Sequence, residues 1–185
     1  MIANKIYSLV YSENENAEAL KKNAWLVILH ASRIPPHVGV IINGNYNSLT
    51  IKERELNVSA EALLKTISQK KIEALFLKLA KHPVFSEDYQ LGVFHQQLNQ
   101  FTAVKQNEAT CLTPIKLFFE EFYAIKNNEQ LLFDFVDTLY NNDYISEAVG
   151  INIKDKKDNI FTFTTYTNEE LQERIKQERE INIKK

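Results

Sequence analysis

Two residues of this chain have side chains that could do covalent chemistry together. Cys111 is the only cysteine among 185 residues, and it lies three positions before Pro114 and the apolar stretch from Ile115 to Ile125, which reads as a helix. Proline is harmless in a helix's first turn, where its missing N–H would have no partner anyway. Cys111 is therefore expected at, or just before, a helix N-terminus, where free N–H groups and the helix dipole lower a thiol's pKa. A thiol nucleophile needs a base that takes its proton and later returns it to a leaving group. His37, directly after Pro35-Pro36 at the start of a strand, is placed for that role, and 74 positions separate it from Cys111, so only the fold can bring the two together. A third group must orient the imidazole. Ser48 and Thr50, on one side of the strand that returns opposite His37, are the candidates. Neither is charged, so either would orient the ring more weakly than a carboxylate. Each residue also has a plain packing reading. A lone cysteine serves as a small buried hydrophobe, and His37 could cap a strand by bonding a backbone carbonyl.

The surrounding pattern predicts a mixture of helices and strands. Met1 to Tyr11 is too broken in hydropathy for a signal-peptide core. A short helix is expected from about Glu15 to Asn23, then a buried strand from Trp25 to His30. After the turn at Arg33 to Pro36, His37 to Ile42 forms a second strand. Asn43-Gly44-Asn45 is the strongest hairpin signal, because Asn and Gly accept positive φ cheaply. Tyr46 to about Leu56 reads as a single return strand, with Leu49 and Ile51 on one face. Ser59 is a plausible cap for a helix from Ala60 to about Ser68. Ile72 to Leu79 suits a strand, with helix as the alternative. Ser86 can cap a helix to about Gln100. Further helices are expected over about Glu129 to Asn141 and, as one or two turns, Asp143 to Val149, ending at Gly150. Lys154 to Asn159 is a charged turn, and Ile160 to Tyr166 alternates as a strand does. Thr167 and Glu170 form a capping box for a final, charged surface helix to about Glu180, with Ile181 to Lys185 fraying.

The segment His37-Val38-Gly39-Val40-Ile41-Ile42-Asn43-Gly44 resembles the histidine strand of the circularly permuted NlpC/P60 superfamily, the papain-like proteins that include the lecithin–retinol acyltransferase group. In that group the histidine strand and hairpin come first, a helix and strand follow, and the cysteine opens a later helix. The same order is expected here over roughly residues 24 to 125. The resemblance implies an α+β, papain-like core with an antiparallel sheet and packed helices, and a thiol mechanism on an amide or ester bond. It carries the nucleophile onto Cys111 and the base onto His37. The chain departs from the pattern at the third position, which has no obvious His, Glu or Asp, and in the residues after Cys111. The expected organisation is one domain over 1–185, with a core at about 24–125 and an extension of helices and a strand at about 126–185.

Composition narrows the function classes. A formal net charge of −2 argues against a general nucleic-acid binder. One cysteine excludes an internal disulfide and a multi-cysteine zinc site. Four histidines with no i, i+4 pair give no metal motif, and no glycine-rich phosphate loop is present, so neither metal nor cofactor is expected. No run approaches the roughly 20 apolar residues of a membrane helix, and the free thiol suits the cytoplasm. His30 reads as a core residue at a strand end, and His82 and His95 as solvent-facing. Glu120-Glu121 reads as a helix-surface pair, and Phe118, Phe119 and Phe122 as core. Two functions follow: a thiol hydrolase or acyltransferase acting on an unidentified amide or ester through a Cys111 thioester, or a non-catalytic binding module on the same fold. The partner chemistry and oligomeric state are not readable from the residues.

Overall fold

The computed structural model describes residues 7–13, 17–126, 131–154 and 157–183. Its elements run β1 (Ser8–Val10), α1 (Ala17–Lys22), β2 (Trp25–Leu29), β3 (His37–Ile42), β4 (Asn45–Leu49), β5 (Arg54–Ser59), α2 (Ala60–Lys70) and β6 (Ala74–Leu79). They continue through α3 (Glu87–Leu98), α4 (Thr113–Tyr123), α5 (Leu132–Asn141), β7 (Ile145–Ile151), β8 (Ile160–Thr162) and α6 (Asn168–Ile183). The class is α+β. The expectations on residues 1–6, on Glu15 and the residue after it, on 129–130, on 155–156 and on 184–185 lie outside the described residues.

The core is an antiparallel sheet of order β5-β4-β3-β2-β6-β7, beside a two-stranded pair of β1 and β8. Strand β2 is buried at every position. A sheet with both faces covered has no solvent side for polar residues to occupy, so its central strand is a continuous apolar run. Val38, Val40 and Ile42 of β3 pack with Phe94 of α3, Phe118 of α4, Phe135 of α5 and Leu171 of α6. Ile41 and Tyr46 pack on the other face with Leu20 of α1 and with Leu63 and Ile67 of α2. The phenylalanines of α4 are core residues, with Phe118 and Phe119 fully buried.

Local chemistry explains most elements. Asn43 and Gly44 both take positive φ, 49° and 70°, which matches the right-handed twist of the flanking strands and closes the β3–β4 hairpin. Ser59 caps α2 through Ala62 N, and Ser86 caps α3 through Tyr89 N. The Thr167–Glu170 box closes in both directions, at 2.7 and 3.2 Å.

Four expectations need correction. Residues 46–56 are two strands, not one. Thr50 turns the chain by accepting from Lys52 N and Glu53 N, while its own N–H donates to Glu53 O, and β5 then returns along β4. Residues 143–149 are not helical, because β7 pairs along the whole of β6 and so satisfies that edge of the sheet. Gly150 is needed there for close approach rather than as a helix cap, since a Cβ would lie 2.5 Å from the Tyr11 ring. The regular part of the strand at 160–166 ends at Thr162, opposite Ser8, the first residue of its partner β1. Helix α6 is charged yet not merely superficial, for Leu171 and Ile175 are buried in the core.

Two glycines test this packing. A Cβ at Gly39 would stand 2.5 Å from Tyr46 Cε2, in a ring that is itself buried. Gly39→Ala is expected to destabilise the protein by about 1–3 kcal/mol through overpacking. Gly92, inside α3, has no neighbour within 4 Å of such a Cβ. Gly92→Ala is expected to stabilise by about 0.4–1 kcal/mol through lost unfolded-state freedom. Urea denaturation of the two variants measures both, and equal effects would contradict the packing described.

Candidate functional site

Side chains alternate along β3, so His37 shares a face with Gly39 and Ile41. Across the hairpin, Ser48 lies opposite Gly39, and Glu55 of β5 lies opposite Ser48. This register sets three polar side chains in a row. His37 Nε2 is 3.1 Å from Ser48 Oγ, and Ser48 Oγ donates to Glu55 Oε2 at 2.6 Å. A hydroxyl has one proton, and here it goes to the carboxylate. Ser48 must then accept from the ring, so Nε2 carries the imidazole proton and Nδ1 keeps the lone pair. Tyr46 is fully buried beside Ser48, and burial holds its phenol protonated far above its ordinary pKa.

The imidazole is held below its ordinary pKa, chiefly by burial. Glu55 opposes the shift, while His30 and Arg33 reinforce it. His37 is therefore a neutral ring at neutral pH, with its free nitrogen available as a base.

Cys111 stands just before α4. The turn that delivers it is closed by Thr113 N donating to Thr110 O and by Thr110 N donating to Thr113 Oγ1, at 3.1 and 2.9 Å. Leu112 occupies the cap position without a capping side chain, and Pro114 falls in the first turn, as the spacing predicts. The electrostatics differ from the expectation. Burial raises the thiol pKa and outweighs the N–H groups of Val38, Cys111 and Leu112 that lower it. Removing solvent from a thiolate costs more than one helix end returns. The resting sulfur is a neutral thiol.

The two residues stand on opposite sides of the sheet. His37 belongs to the face covered by α1 and α2, whereas Cys111 packs against the core on the α3–α6 face. Both line one cavity of about 390 Å³, together with Thr50, Glu55, Arg33 and Ile175. Among the described residues no hydrogen bond joins the imidazole to the sulfur; the ring's bond runs to Ser48.

The sequence-derived candidates thus divide. Ser48 is the residue that contacts the imidazole. Thr50 lines the cavity, but its hydroxyl serves its own turn, donating to Glu53 O at 2.7 Å. Glu55 was missed. Reading 46–56 as one strand hid it, and the available signal was the short polar break Thr50-Ile51-Lys52-Glu53. His30 is exposed at the end of β2 with a positive φ of 53°, not a core residue, and it lines the same cavity. His82 is half-buried against the rings of Phe85 and Phe122, and His95 bonds Asn47 Oδ1 at 2.9 Å. Glu121 accepts from Gln97 across α3 and α4. Among the described residues no three His, Cys, Asp or Glu side chains converge as a metal site, and no helix is long and apolar enough to cross a membrane. No protein-family model, curated protein or solved structure matches the chain.

The buried ring makes stability depend on pH with a definite sign. His30, His37 and His95 all have folded pKa values below the ordinary 6.5, with burial the leading cause. As pH falls below 6.5 the unfolded chain takes up protons that the folded one refuses, so stability is lost toward the depressed folded values. His37→Gln keeps an N–H for Ser48 and removes one titration. It is expected to flatten the stability profile between pH 7 and 5 by up to about 1.4 kcal/mol per pH unit. An unchanged slope in urea titrations would show that His37 is not held neutral by the fold.

Proposed function

We propose that this protein transfers an acyl group from an amide or ester through a thioester on Cys111, with His37 as the acid and base. The observation that carries the reading is that a thiol and a tautomer-locked neutral imidazole line one cavity, the imidazole backed by Ser48 and Glu55. Such a ring is suited to general-base work, because its Nε2–H is fixed and Nδ1 is left to receive a proton. The order of hairpin, helix, strand and cysteine-bearing helix also supports a permuted papain-like relationship.

In this mechanism the thiol is activated during attack, not in advance. The Sγ–H proton passes to His37 Nδ1 as sulfur bonds the carbonyl carbon. The carbonyl electron pair moves to oxygen, and the backbone N–H of Cys111 is the donor proposed for that oxyanion, since the Leu112 N–H already donates to Thr110 Oγ1. Its collapse breaks the bond to the leaving group, which departs with the proton from His37. Water or another acceptor then attacks the thioester, with His37 taking and returning a proton in the same way. Glu55 acts through Ser48 as a positioning residue.

One pair of observations favours a second reading, a binding module without turnover. The sulfur is held as a neutral thiol, and the imidazole bonds Ser48 instead of it. In that reading the cavity holds its ligand unchanged.

p-Nitrophenyl acetate separates the two. The acyl-transfer reading expects a burst of p-nitrophenolate, one acetyl group on Cys111 by mass spectrometry, and no adduct in Cys111→Ala. His37→Gln is expected to slow acetylation about 100-fold or more, as removal of a general base does. Glu55→Gln should slow it less and shift its pH profile. Acetylation at equal rates with and without His37 would leave the binding-module reading.

A further inference from the structure

Helix α6 forms one wall of the cavity that holds Cys111 and His37, and its two halves are held very differently. In the first half, Leu171 and Ile175 are buried, and Gln172 Oε1 accepts from Asn107 N at 2.7 Å. Beyond Ile175 no residue from 176 to 182 is buried. Yet Glu178 and Asn182 of this stretch line the cavity. Two polar ties hold it down. Glu178 pairs with Arg33, in the turn between β2 and β3, and Arg179 donates to Val104 O at 2.7 Å. The Arg33 and Glu178 side chains are 52% and 33% exposed, so water and salt screen their attraction.

A helix end without buried apolar contacts opens locally at low free-energy cost, while its anchored part stays in place. We infer that the last two turns of α6 are a gate over the cavity, latched by the Arg33–Glu178 ion pair and hinged beyond Ile175. The inference concerns access to the site proposed above, and it rests on that reading for its purpose but not for its geometry. The latch joins the turn that leads into His37 to the helix that walls off Cys111. Opening it widens the mouth without disturbing the His37–Ser48–Glu55 row. A bulky acyl donor would then enter by displacing Glu178 from Arg33, whereas a small one would pass the closed gate.

The test compares alkylation of Cys111 by iodoacetamide and by fluorescein maleimide in the full chain. Four proteins are used: wild type, Arg33→Glu, Glu178→Arg and the double exchange. The single variants are expected to react about threefold to fivefold faster with the bulky reagent, with little change for the small one, and the double exchange should return to the wild-type rate. Raising salt should speed the bulky reaction in wild type and slow it in the single variants, where it screens a like-charge repulsion. Hydrogen exchange of residues 177–182 reads the same opening without using the thiol, and it should quicken in the single variants alone. Equal rates or equal protection across the four proteins overturn the gate, as does a double exchange that fails to restore closure. A gate that behaves as expected while acetylation ignores His37 would reject the acyl-transfer reading and leave the gate standing.

Discussion

A sheet packed on both faces leaves reactive polar groups few places to stand. The central strands β2 and β3 are walled by α1 and α2 on one side and by α3 to α6 on the other. An unpaired buried polar group costs on the order of 1–3 kcal/mol, so a partner is worth much to a polar side chain within that stack, although Trp25 Nε1 and Tyr46 OH are buried there without one. Ser48 has two, joining His37 to Glu55. His37 and Glu55, at the two ends of the row, both line the cavity. The location of the candidate site is thus a consequence of covering the sheet twice.

The same burial governs the chemistry. Both the thiol and the imidazole are pushed toward their neutral forms, the first upward in pKa and the second downward. A preformed ion pair between them would need their pKa values to cross the other way. In the acyl-transfer reading proposed above, burial therefore favours one proton moving as the sulfur attacks. Glu55 has its effect at a distance in this scheme. Its charge opposes the depression of the imidazole pKa, and its oxygen fixes the Ser48 proton, which in turn fixes the tautomer of the ring.

Packing also decides what moves. Helix α6 inserts two apolar residues and then runs on as a charged surface helix, so its stability is uneven along its length. The cavity wall it supplies inherits that unevenness: firm near Leu171 and Ile175, held only by polar ties near Glu178. The turn carrying Arg33 belongs to the segment that delivers His37 to its strand, so the mouth of the cavity and His37 share one stretch of chain.

Features set by short-range chemistry were legible in the residues themselves. The Asn43-Gly44 turn, the serine caps of α2 and α3, the Thr167–Glu170 box and the proline-opened helix after Cys111 each depend on contacts within a few positions. The continuous apolar run of β2 announced a strand covered on both faces. What the tertiary structure decided is whatever depends on a distant partner. Residues 145–151 became a strand because β6 offered an unpaired edge, and that edge is invisible in their own pattern. Glu55 joined His37 only through the second hairpin, whose Thr50 turn lacks the glycine that marked the first. The state of the Cys111 thiol was set by how much water the assembled core removes from the end of α4, a quantity that no helix N-terminus specifies on its own.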